Sequence, residues 1–175
     1  MIALITGGSG CGKSTYAEKL VSLLSGRNRF YIATMRVYDE ESQRRVARHR
    51  AQRADKGFTT IECPMNLAGA AVEPGGTALL EDVPNLLANE MFDGGSAERV
   101  FPEIEALSRR CGHLVVVTND VFCDGVAYAE STQAYIRRLA EINRRIADIA
   151  DYVAEVVYSI PVPLKGAAPC ASSDL

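Results

Sequence analysis

The chain alternates short apolar runs with amphipathic stretches, and that alternation sets the expected architecture. Met1–Thr6 (MIALIT) is a continuous apolar run closed by glycines, the pattern of a strand buried on both faces. Gly7–Gly12 reads as a loop, and Lys13–Leu24 carries Ala17, Leu20, Val21 and Leu24 at helical spacing, with Gly26 as a stop. Phe30–Thr34 predicts a second strand. Asp39–Arg53 fits a helix but is very polar, with only Val46, Ala47 and Ala51 to face a core. Phe58–Glu62 and Thr77–Leu80 predict two more strands, and Pro64–Gly76 between them leaves room for a short helix at most. Pro84–Phe92 and Ala97–Arg109 predict helices separated by Asp93-Gly94-Gly95-Ser96, and Leu114–Thr118 is the clearest buried strand. Thr132–Ala150 predicts a long helix with Ile136, Leu139, Ile142, Ile146 and Ile149 on its apolar side. Tyr152–Ile160 predicts a last strand, and Gly166–Leu175 a loose tail of small and polar residues.

Strands alternating with helices, several of them continuous β-branched runs, predict an α/β fold: an open, mostly parallel sheet with helices on both faces. With 175 residues, one domain over residues 1–165 accounts for the pattern. The net charge of −3 argues against a general nucleic-acid binder. The five cysteines (Cys11, Cys63, Cys111, Cys123 and Cys170) have no CxxC pair or regular spacing. They suit reduced thiols in the cytoplasm better than a disulfide framework or a zinc site. His49 and His113 are too few and too isolated for a metal cluster. No apolar run is long enough to span a membrane, and the first residues read as a strand and not as a leader.

The motif with the most chemistry is Gly7-Gly8-Ser9-Gly10-Cys11-Gly12-Lys13-Ser14, which satisfies GxxxxGK[ST] in full. Glycines let backbone N–H groups turn inward around phosphate oxygens, Lys13 reaches the β- and γ-phosphates, and the Ser14 hydroxyl helps to hold Mg²⁺. The motif follows a buried strand and opens an amphipathic helix, the context this mechanism requires. A phosphate-loop enzyme also needs an acid near the cation at a neighbouring strand end. Glu81 is the leading candidate, with Asp82 and Asp120 as the others.

The stretch from Asp39 to Arg53 is the most unusual. A helix there stacks Arg45, His49 and Arg53 on one face, flanked by Arg44, Arg48 and Arg50. These arginines exceed what Asp39, Glu40 and Glu41 can pair, a density that suits triphosphate or pyrophosphate. Neighbouring cations disfavour imidazolium, so His49 is expected to be neutral near pH 7 and able to attack phosphorus. A solvated helix held by pairs such as Glu41–Arg45 is the plainer alternative. His113, just before a buried strand, is expected to be structural.

These residues carry a family resemblance. The chain resembles the bifunctional adenosylcobinamide kinase / adenosylcobinamide-phosphate guanylyltransferase family of cobalamin biosynthesis. The likeness rests on TGGSGCGKS at 6–14, YIAT at 31–34, RVARHRAQR at 45–53, TIECP at 60–64, LLE at 79–81 and VVVTND at 115–120. It implies a P-loop NTPase-type fold and two uses of nucleotide. ATP or GTP phosphorylates the hydroxyl of the aminopropanol arm of adenosylcobinamide. Then His49, matching the family's histidine, attacks the α-phosphate of GTP and carries GMP to the new phosphate. By the same matching, Gly7–Ser14 (Gly7, Gly8, Ser9, Gly10, Cys11, Gly12, Lys13, Ser14), Ala33, Thr34, Met35, Arg50, Ala51, Gln52, Arg53, Glu62 and Glu81 contact nucleotide. Lys13 and His49 are then catalytic, and Ser14 and Glu81 hold the metal. Glu62 is chemically apt for guanine, because a carboxylate accepts from both N1–H and the 2-amino group. The resemblance also implies a homo-oligomer, a trimer in the family, with a small corrinoid as the other substrate.

The departures are specific. Phe58 stands where the family has tryptophan, the stretch after Asp120 differs, and Ser159-Ile160-Pro161 replaces the family's Gly-x-Pro ending. A different kinase or nucleotidyltransferase on the same scaffold, or a nucleotide-switched binding protein, are the alternative readings. The second lacks support from a GTPase NKxD motif, since Thr118-Asn119-Asp120 has neither the lysine nor the spacing.

Overall fold

A computed structural model describes residues 1–24, 28–36, 56–119 and 128–169 of the chain. Its frame is a seven-stranded sheet in the order β3-β2-β4-β5-β1-β6-β7. In chain order the elements are β1 (Ile2–Thr6), α1 (Lys13–Leu24), β2 (Arg29–Ala33), β3 (Phe58–Glu62) and β4 (Thr77–Glu81). There follow α2 (Val83–Phe92), α3 (Ala97–Arg110), β5 (His113–Val117), α4 (Glu130–Ile149), β6 (Tyr152–Val157) and β7 (Ile160–Lys165). Between β3 and β4 lies one short 3₁₀ turn at Leu67–Gly69, in keeping with the limited helix expected there. Among the described helices none is long and apolar enough to cross a membrane.

The first six strands are parallel, and only β7 runs antiparallel, against β6. Parallel strands need crossovers that bury both faces, so the sheet carries two cores. On one face α1 buries Ala17, Leu20 and Val21 against Ala3, Ile5, Leu79, Val115 and Ala154. On the other, α2, α3 and α4 bury Leu86, Leu87, Ile104, Leu107, Ile142 and Ile146 against Leu4, Ile32, Leu80 and Val116. Alternation along each strand assigns successive residues to opposite cores, as Leu79 and Leu80 do.

The chain's end differs from the expectation of a single strand over Tyr152–Ile160. β6 stops at Val157, the chain reverses at Tyr158 and Ser159, and β7 returns from Ile160. Both turn residues have positive φ, 50° and 66°. That conformation suits a tight hairpin, but the usual Asn-Gly or Gly signal is missing, so the reversal is invisible in the residue types. Of the expected tail, residues 170–175 lie outside the described residues, as does the polar stretch expected to be helical at 39–53.

Candidate active site

All six parallel strands point their C-terminal ends to one edge, where an open α/β sheet presents its binding crevice. Along that edge come Glu62 (β3), Ala33 (β2), Glu81 (β4), Val117 (β5) and Thr6 (β1). The phosphate loop leaves β1 there. Its glycines take conformations that side chains resist: Gly7, Gly10 and Gly12 have φ of 144°, 69° and 94°. A Cβ on Gly7 would lie 2.5 Å from the Val156 carbonyl oxygen, and one on Gly12 would lie 2.6 Å from Ser159 Oγ. These two positions are glycine for steric reasons beyond the turn itself.

Lys13 opens α1 and is buried to 9 % exposure, its ammonium turned back to donate to the Gly8 carbonyl at 3.0 Å. The side chain therefore arches over the loop, placing a cation at its mouth. Gly10–Thr15, together with Glu18 and Lys56, lines a cavity of about 480 Å³. Lys56 makes an ion pair with Glu18, one helical turn beyond Ser14.

The loop is tied to the sheet edge through Ser14, whose hydroxyl donates to Glu81 Oε1. The other carboxylate oxygen of Glu81 accepts from the Tyr31 hydroxyl at 3.0 Å. A hydroxyl and a carboxylate in contact are two hard oxygen donors, which suits a small divalent cation completed by phosphate and water. Among the described residues no group of three or more His, Cys, Asp or Glu forms a metal cluster. A phosphate-bridged cation does not need one.

Around Glu81 the strand ends are locked together. Thr34 is fully buried; its N–H donates to the Glu81 carbonyl at 3.0 Å and its hydroxyl to the Asp82 carbonyl at 2.9 Å. The Asp82 N–H donates back to the Thr34 hydroxyl oxygen at 2.8 Å, and Asn89 donates to the Thr34 carbonyl at 2.9 Å. The Glu81–Asp82 peptide is cis. Asp82 caps α2 by accepting from the Asn85 N–H at 2.8 Å. Burial pushes its carboxyl up to about 6, with Glu81 adding to the rise and the Asn85 N–H and Lys13 opposing it. Asp82 thus has a capping role that accounts for it, and Glu81 is the acid in contact with the loop.

The structure brings Gly7–Ser14, Thr34 and Glu81 into one connected set. Ala33 and Met35 flank Thr34, and Glu62 is exposed at the end of the edge strand β3, in register with Ala33. His49, Arg50, Ala51, Gln52, Arg53 and Asp120 lie outside the described residues. His113 sits at the opposite edge of the sheet, paired with Thr77, with Nδ1 3.3 Å from the N-terminal amine. That position fits a structural role. Three contributors escaped the sequence reading. Tyr31 is visible only once β2 and β4 are known to pair; Glu18 carried a signal, its i+4 spacing from Ser14. The third is the Tyr158–Ser159 turn. The Ser159 N–H donates to the Cys11 carbonyl at 2.8 Å, so the hairpin props the outer side of the loop. Gly8–Cys11 and Glu155–Ser159 line a second cavity of about 550 Å³.

Comparison with known proteins agrees with this geometry. The family described as "Cobinamide kinase / cobinamide phosphate guanyltransferase" matches residues 3–164. The bifunctional adenosylcobalamin biosynthesis protein CobP of Pseudomonas aeruginosa is 33 % identical over 169 residues, covering 93 % of this chain and 96 % of that one. The bifunctional adenosylcobalamin biosynthesis proteins CobU of Escherichia coli and Salmonella typhimurium are 30 % and 31 % identical over 185 residues. Each comparison covers 94 % of this chain and 100 % of the relative. A match over nearly the whole chain, with the phosphate loop and its carboxylate assembled as the chemistry requires, establishes that the chain belongs to the cobinamide kinase / cobinamide phosphate guanyltransferase family.

Proposed function

We propose that the chain phosphorylates adenosylcobinamide with ATP or GTP, then transfers GMP from GTP to the phosphate so made, giving adenosylcobinamide-GDP. The observation that carries this reading is the Ser14–Glu81 contact, which couples the phosphate loop to a neighbouring strand end in a chain of this family. In the first reaction the acceptor hydroxyl oxygen attacks the γ-phosphorus and the bond to the β–γ bridging oxygen breaks. The nucleoside diphosphate leaves and the hydroxyl proton is released. Lys13 and the loop N–H groups hold the β- and γ-phosphates in line. Ser14 and Glu81 would hold Mg²⁺, which supplies charge neutralisation across those phosphates.

In the second reaction a ring nitrogen of His49 attacks the α-phosphorus of GTP and pyrophosphate leaves, forming a P–N bond. An oxygen of the corrinoid phosphate then attacks that phosphorus, the P–N bond breaks and the imidazole is regenerated. Arg50–Arg53 neutralise the pyrophosphate, Ala33–Met35 pack along the nucleotide, and Glu62 reads the guanine edge. A homo-oligomer, trimeric as in the family, is supported by the exposed apolar residues Ile160, Val162 and Leu164 of β7. Cys11, Cys63 and Cys111 are free thiols, in keeping with a cytoplasmic setting.

The test is labelling with α-³²P-GTP and γ-³²P-GTP. We expect acid-labile, base-stable protein label from the α position only, lost in His49→Ala. Label that persists in the variant removes His49 from the reaction.

A further inference from the structure

The phosphate loop stands between two flanks that a single nucleoside cannot occupy together. Glu62 ends β3, and the strand order places β2, β4 and β5 between it and β1. That is four strand spacings, about 19 Å. The Tyr158–Ser159 turn follows β6, the neighbour of β1 on its other side. On this second flank lies the 550 Å³ cavity, walled by Gly8–Cys11 of the loop and Glu155–Ser159 of the hairpin.

The features of that cavity point to a planar ligand. Tyr158 is 91 % exposed although its neighbour Ser159 is bonded to the loop through the Cys11 carbonyl. Its φ of 50° is uncommon for a bulky residue, and the turn leaves the aromatic ring exposed beside the loop. An exposed ring next to a phosphate cradle is a stacking platform for a base, because every base offers a π-face. The Ser14–Glu81 contact lies on the β4 side of the loop, and Tyr158 stands on its β6 side.

We infer that Tyr158 and the β6–β7 turn form the nucleoside subsite of the phosphoryl donor, a purine nucleoside triphosphate whose base stacks on the Tyr158 ring. The loop then serves two nucleotides in succession. The phosphoryl donor leaves it toward Tyr158, and the GTP of guanylyl transfer toward Glu62. This rests on the kinase and transferase reading above.

The chain has no tryptophan, so Tyr158→Trp installs a single reporter at the turn. We expect MgATP to quench its emission, while inorganic tripolyphosphate, which fills the loop without a base, leaves it unchanged. Tyr158→Ala should raise KM for the phosphoryl donor about tenfold, more than it lowers kcat, and the conservative Tyr158→Phe, which keeps the ring, should restore that KM. Photolabelling of the unaltered protein with 8-azido-ATP should mark the peptide around Tyr158. Equal quenching by tripolyphosphate, an unchanged donor KM, or label confined to other peptides would each overturn the inference. Lys13→Ala separates the two levels. If Lys13→Ala abolishes MgATP binding and Tyr158 is silent, only the subsite falls; if Lys13→Ala binds MgATP normally, the phosphate-loop reading and the subsite fall together.

Discussion

Two carboxylates on α2 and at its start show how differently one chain treats buried charge. Glu90 is 1 % exposed and accepts from the Asn66 N–H at 2.7 Å, the Ser96 N–H at 2.8 Å and Arg99 Nη2 at 3.1 Å. Burial alone would raise its pKa, but those donors outweigh it and the carboxyl sits below its usual range. A Cβ on Gly95 would fall 2.0 Å from Glu90 Oε2, so the loop before α3 is shaped around this group. Asp82 is desolvated, takes its hydrogen bonds from the backbone and side chain of Asn85 and has the Glu81 charge beside it, and its carboxyl rises to about 6. A saturated carboxylate fastens loops together. A cluster short of donors stays ready for an incoming cation and phosphate.

The sharpest way to break this contrast is Glu81→Gln. It should lower kcat of the kinase reaction about 10²–10³-fold, the scale of losing one preorganised electrostatic group. Thermal melting should hold or rise, because the repulsion on Asp82 is relieved; a fall in melting temperature would make Glu81 a structural residue. Next comes Glu90→Ala, expected to cost about 3 kcal/mol in urea unfolding, since two loop N–H groups and Arg99 lose their acceptor. The folded-state pKa of Glu90 is depressed, so its contribution is present above the ordinary carboxylate range and disappears as pH falls through the depressed value. The smallest effect is Asp82→Asn. A raised folded-state pKa means the native state binds the extra proton, so the charge costs stability as pH rises from about 4 to about 6. Asparagine still caps α2, and the variant should gain about 1 kcal/mol at pH 7.5 but nothing at pH 4. An equal gain at both values would place the effect outside ionisation.

What the residues revealed, and what they hid, follows from the range of each signal. The phosphate loop and the buried strands are local patterns, and they appear in the structure within a residue or two of the expected limits. Glu81 was legible because a carboxylate directly after an apolar strand lies at the crevice edge of such a sheet. Tyr31, Thr34's bonds to Asp82 and the Glu90 hub depend on strand pairing and loop packing between distant parts of the chain. No local period encodes those contacts. The β6–β7 turn was hidden for another reason: Tyr158 and Ser159 adopt a conformation that their residue types do not advertise.

Pro161 and Pro163 lie on the outermost strand of the sheet. Without N–H groups at those two positions, the last strand offers an incoming chain too few rungs to continue the ladder. Backbone pairing through β7 is therefore blocked, and a continuous ribbon growing from rim to rim is closed to this sheet.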